Sequence, residues 1–85
     1  MIKEEIIYAG IPLWLLREYL EELGGKAEAE DRIAGDGWHA SIVKIEPNRV
    51  GSLRVGRVKL TLEGDSLAIE TLKPRLEMKT MRAGA

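Results

Sequence analysis

The stretch Gly35-Asp36-Gly37-Trp38-His39-Ala40-Ser41-Ile42-Val43-Lys44-Ile45-Glu46 decides the fold class. Gly35-Asp36-Gly37 is strong turn chemistry. After it, Trp38, Ala40 and Ile42 alternate with His39, Ser41, Val43 and Ile45, the period-two pattern of a strand with two different faces. A strand emerging from a glycine-flanked Asp36-Gly37 turn pairs with the segment before it. Lys26–Ile33 supplies that partner, because Ala27, Ala29 and Ile33 keep the apolar phase between Glu28 and Glu30. The nucleus of the chain is therefore an antiparallel hairpin.

Working outward, Pro47-Asn48-Arg49 reads as a loop and Leu53–Glu63 as a long strand. Leu53 and Val55 lie at odd positions, but Val58, Leu60 and Leu62 lie at even ones. A β-bulge at Gly56 would bring all five to the core face and turn Arg54, Lys59, Thr61 and Glu63 outward. Toward the N-terminus, Ile2–Ala9 is a strand centred on Ile6, Ile7 and Tyr8. Pro12–Leu23 is a helix with Pro12 at its first position. Leu13, Leu16, Leu20 and Leu23 form its apolar stripe, and Gly24-Gly25 stops it. Toward the C-terminus, Asp65 is an N-cap for a short helix to Lys73, with a hairpin turn at Gly64-Asp65 as the competing reading. Pro74 ends either element. Arg75–Arg82 alternates as a last strand, unless a second helix starts at Pro74, and Ala83-Gly84-Ala85 reads as a frayed end. The expected class is α+β: an antiparallel sheet of four to five strands with two helices packed on one face.

Eighty-five residues make one domain spanning residues 1–85, with a thin core. There is no Cys, which excludes thiol catalysis, thiolate metal sites and disulfides, and fits a reducing, cytoplasmic setting. No targeting or membrane segment is visible. The absence of Gln, a single Asn (Asn48) and 32% charged residues form the composition of a thermophile protein. The net charge of −1 hides an asymmetry: residues 1–48 carry five basic and ten acidic side chains, residues 49–85 eight basic and four acidic. Such a split suits self-association, an anionic partner for the second half, or complementary packing.

No constellation for catalysis emerges. His39 and Ser41 share a strand face but lack a nucleophile elbow and a nearby acid. Glu28, Glu30 and Asp31 lack the spacing of a calcium loop and read as a charged sheet edge. No metal or cofactor is expected. The basic residues Arg54, Arg57 and Lys59, with Arg75 and Lys79 if the last segment lies alongside, offer a surface for an anionic ligand. The four aromatics Tyr8, Trp14, Tyr19 and Trp38 read as core, which argues against nucleic acid. Val50-Gly51-Ser52-Leu53 reads as the start of a strand with a tight backbone path. With Asn48 and Arg49, Gly51 and Ser52 could also line a groove for a ligand or partner.

Pro12, Trp14-Leu15-Leu16, Tyr19-Leu20-Glu21-Glu22 and Gly24-Gly25, followed by Glu46-Pro47, Val50-Gly51-Ser52-Leu53 and Glu63-Gly64, carry a family resemblance. The chain resembles the C-terminal domain fused to a ubiquitin-like module in proteins related to the molybdopterin synthase small subunit, the MoaD-related proteins. The match covers about three quarters of the chain and drifts after Asp65. It implies a fold similar to the TATA-binding-protein (TBP-like) type, a curved antiparallel sheet carrying helices. It implies no catalytic residues, and a link to molybdopterin or sulfur-carrier chemistry through the fusion partner alone. The ubiquitin-like module is absent here, and Ala83-Gly84-Ala85 is not the Gly-Gly tail of a sulfur carrier. The resulting expectation is a non-catalytic binding or adaptor module, homodimeric, taking a protein partner or a small anionic ligand. Its candidate contacts are Asn48, Arg49, Gly51, Ser52, Arg54, Arg57 and Lys59. A small enzyme acting on an acidic metabolite, or nucleic-acid binding through the basic face, are the alternatives.

Overall fold

The computed structural model describes the backbone of residues 1–84 and the side chains of residues 1–81. In chain order the elements are β1 (Ile2–Ala9), α1 (Leu13–Glu22), β2 (Lys26–Ala29), β3 (Arg32–Gly35), β4 (Trp38–Val50), β5 (Leu53–Gly64) and α2 (Ser66–Gly84). The strands form one antiparallel sheet in the order β1-β5-β4-β3-β2. The α+β class with an antiparallel sheet and two helices is thus observed.

The hairpin about Asp36-Gly37 forms, with Gly35 opposite Trp38. The segment before it is two short strands rather than one, because the chain turns back at Glu30-Asp31. This split supplies the fifth strand. The alternation in β4 holds: Trp38, Ala40 and Ile42 are buried, while His39, Ser41 and Val43 are exposed. Their buried neighbours on β5 are Val58, Leu60 and Leu62. Leu16 and Leu20 from α1, and Ile69, Leu72 and Leu76 from α2, complete a core on one face of the sheet.

Helix α1 starts at Leu13, with Pro12 as an extended N-cap (φ −70, ψ 154) rather than the first helical residue. Its end is a Schellman motif. Gly24, at φ +103, donates to the Glu21 carbonyl at 3.1 Å, and Gly25 donates to the Leu20 carbonyl at 2.9 Å. Trp38 explains why the surrounding glycines lack side chains. A Cβ at Gly35 would run into its indole, and one at Gly25 would meet both the indole and Ile33.

Three further expectations are overturned. First, Pro47-Asn48-Arg49 is not a loop: β4 runs through it to Val50. The bulge lies here and not at Gly56, since Ile45 pairs with Arg57 and Asn48 with Val55, leaving Glu46 and Pro47 without β5 partners. A proline in a bulge removes no ladder hydrogen bond. Second, β5 is therefore continuous, and its odd positions stay on one face. Leu53 is 68% exposed instead of joining Val58, Leu60 and Leu62 in the core. Arg54 and Lys59 fall on opposite faces. Third, residues 66–84 form one helix that passes through Pro74. Asp65 does act as its cap, its carboxylate accepting from the Ala68 N–H at 3.3 Å. Ile69, Leu72, Leu76 and Thr80 are buried at spacings of three and four, a stripe that continues across the proline. Met78, which a strand over Arg75–Arg82 would set on the same face as Leu76 and Thr80, is 63% exposed. Ala83 and Gly84 belong to this helix and are not a frayed end; Ala85 lies outside the described residues.

Candidate functional site

β4 and β5 outrun their neighbours. β1 ends at Ala9 opposite Arg57, and β3 pairs only with Trp38 to Ser41 of β4. Beyond those points the two strands continue alone as a ribbon ending at Gly51-Ser52, with Val50 opposite Leu53. The molecule measures 42 × 23 × 20 Å. Gly51 has φ +63 and Ser52 does not have positive φ, which fits a type II′ two-residue hairpin turn. The Val50–Leu53 segment is thus a tip, not the start of a strand. A Gly-Ser pair flanked by Val50 and Leu53 is itself a hairpin signal, and the apparent Pro47 loop masks it.

The arm has a different chemistry on each side. Arg49 lies directly opposite Arg54, and among the described residues no carboxylate is within ion-pair distance of either. Like charges facing across a ladder are destabilising, so the pairing here is held by the backbone and not by these side chains. Val50 and Leu53 form the neighbouring pair and are 66% and 68% exposed. Asn48, Arg49 and Arg54 line one small cleft with Glu46 and Pro47, of about 320 Å³. A more apolar cleft of about 450 Å³ lies at the arm's base, bordered by Ile11, Pro12, Ile45, Pro47, Gly56 and Arg57.

The seven candidate residues are spread along this ribbon. Asn48, Arg49 and Arg54 come together, and Gly51 and Ser52 make the tip. Arg57 sits at the base, its Nε donating to the Glu46 carbonyl at 2.8 Å. Lys59 lies farther down, in the uncovered sheet face, 3.3 Å from Glu5. Arg75 and Lys79 do not join them. They lie on α2, where Lys79 is 3.1 Å from Glu22 and 5.8 Å from the Tyr19 ring.

Trp14 is not core: it is 57% exposed. It borders a broad depression with Arg17, Asp31, Val43 and Lys44. The signal was present, since Trp14 shares its helix side with Arg17, Glu18 and Glu21, off the Leu16–Leu20 stripe. His39 and Ser41 do share the uncovered face. Two residues apart on one strand, they are separated by about 7 Å, too far for a nucleophile–base hydrogen bond. Glu28, Glu30 and Asp31 are exposed at the β2–β3 turn.

A five-stranded antiparallel sheet covered on one face, with a two-stranded arm carrying arginines and exposed aliphatics, defines a small α+β module. The chain belongs to the archaeal MoaD-like protein family, whose model matches residues 4–85. A search of curated proteins returned no match. No helix among the described residues is long and apolar enough to cross a membrane.

Proposed function

We propose that this chain is a non-catalytic binding or adaptor module, linked to molybdopterin or sulfur-carrier metabolism, that engages a protein partner through the β4–β5 arm. One observation carries the reading: Arg49 faces Arg54 beside an exposed Val50–Leu53 pair, on a ribbon with no neighbouring strand. Charged residues at such a tip keep it soluble, and the adjacent aliphatics supply burial on docking. The proposed contacts are Asn48, Arg49, Gly51, Ser52 and Arg54, with Arg57 at the arm's base and Lys59, on the opposite face from Arg54 and paired with Glu5, as outlying candidates. Family membership supports the metabolic link. We place the module in the cytoplasm of a thermophile on composition, and give it a TBP-like architecture on the antiparallel sheet with both helices packed against one face. Its homodimeric state belongs to the same proposal and is motivated by the thin core and the charge asymmetry.

Affinity capture from the host's lysate, at low and high salt, compares the wild type with a Arg49→Glu/Arg54→Glu variant. The expected result is a sulfur-transfer or molybdopterin-pathway protein held by the wild type and released by the variant. Equal retention by both would remove the arm from the reading. Recovery of no protein from those pathways would remove the metabolic link.

A further inference from the structure

The sheet has free edges at β2, at β1 and on both sides of the arm, and they are not equally guarded. β2 is four residues long, irregular between Ala27 and Ala29, and exposed throughout. The outer side of β4 beyond Ile42 contains Pro47 and the bulge. Short length, irregularity, proline and charged side chains are the usual means by which an edge avoids pairing with another chain. β1 has none of the first three: it is eight residues long, regular against β5, and free of proline and glycine. Its charges, Lys3, Glu4 and Glu5, are of mixed sign, so they guard it against some registers and not against others.

Its backbone is available. The Gly10 N–H donates to the Gly56 carbonyl at 2.9 Å, so even-numbered residues of β1 direct their backbone groups toward β5. By the alternation of an antiparallel ladder, Lys3, Glu5 and Ile7 direct theirs away from the sheet. The core is also incomplete here. Ile2, Ile6 and Tyr8 point to the helix-covered side yet remain only half-buried against the cluster.

We infer that β1 pairs antiparallel with β1 of a second copy, joining two sheets into one about a two-fold axis. This deepens the homodimer reading above and rests on it. Charge complementarity selects the register with Lys3 opposite Glu5 of the second copy. Lys3 already lies 3.8 Å from Glu63, and Glu5 lies 3.3 Å from Lys59. Pairing Lys3 with Glu5 across the axis therefore produces an unbroken alternation on the uncovered face: Glu63, Lys3, then Glu5 and Lys59 of the second copy. On the covered face the same register sets Ile2 against Ile6 of the second copy, which extends the core across the axis. Glu4 then meets its own copy at the axis, a like-charge pair that opposes this register. Each Glu4 carboxylate is already held by Lys73, whose Nζ is 3.0 Å from both oxygens.

This register makes an unusual demand on variants. Lys3→Glu places acid against acid across the axis, and Glu5→Lys places base against base. Mixed together, the two variants restore opposite charges at both contacts. Sedimentation equilibrium at low ionic strength, with circular dichroism to confirm folding, tests this. The wild type is expected at twice the 9.5 kDa chain mass. Each reversal alone is expected to weaken dimerisation by about tenfold or more, and the equimolar mixture to recover it. Lys3→Gln is the gentler second variant should a reversal fail to fold, with an expected loss of about threefold. A wild-type dimer unmoved by these variants, or a mixture that does not recover, overturns the β1 interface while leaving self-association in place. A wild type that stays monomeric at all concentrations overturns both.

Discussion

At the scale of single residues, Trp38 organises more of this molecule than any motif. Its indole lies over Gly35 and beside Gly25, and its own backbone is approached closely by Gly64. Gly35 and Gly25 are thus glycines for a shared steric reason, whereas a Cβ at Gly64 would strike the backbone of Gly37 and Trp38. Gly35→Ala should lower stability by about 1–3 kcal/mol, because the added methyl collides with a ring that is 95% enclosed and has nowhere to retreat. Urea denaturation checks this; an unchanged midpoint would mean that the indole does not pack there. None of this is legible in the sequence, where Gly35 reads only as turn chemistry. Trp14 is the opposite case. Its exposure follows from helical phase alone, and treating every tryptophan as core obscures that.

At the scale of elements, agreement between sequence and structure depends on how local the deciding forces are. β1, α1 and the Asp36-Gly37 hairpin form where expected because periodicity, a Schellman stop and a tight turn are near-neighbour effects. The misreadings cluster at two prolines. Pro47 signals a loop, but it falls in a bulge where no ladder bond is lost. Pro74 signals a helix end, but α2 continues because Ile69 and Leu72 before it and Leu76 after it anchor the same stripe. A proline inside a helix costs about 3 kcal/mol, and burial on both sides of it outweighs that. Pro74→Ala should therefore stabilise the chain, by about 1–3 kcal/mol, as seen in a higher thermal midpoint. A lower midpoint would contradict a continuous α2. The proline is exposed, so the substitution disturbs no core contact.

At the scale of the whole molecule, one sheet face is covered and the other is bare. Leu60 is fully buried, whereas Val43, in the adjoining strand but on the other face, is 50% exposed. Leu60→Ala is expected to cost about 2–5 kcal/mol, and Val43→Ser no more than about 0.5 kcal/mol. Denaturant titration of both variants distinguishes a one-sided core from a sandwiched sheet; comparable losses would rule out the one-sided arrangement. The bare face, the β1 edge and the arm are three surfaces on one small chain. The arm and the edge lie at different places in the sheet, so a dimer through β1 leaves the arm free to engage a partner.

The amino-acid sequence by itself determined the α+β class, most element positions, the phase of β4 and the composition of the candidate arm, because alternation, helical stripes and capping act over a few residues. It also carried the resemblance that family membership bears out. Tertiary structure alone decided where the bulge lies, which side of β5 Leu53 and Arg54 take, that Arg49 faces Arg54, and that α2 survives Pro74. Each of these depends on what a distant strand or core residue offers in exchange for a local penalty. A bulge belongs to a pair of strands, and only the pairing of β4 with β5 reveals which of the two carries the extra residue.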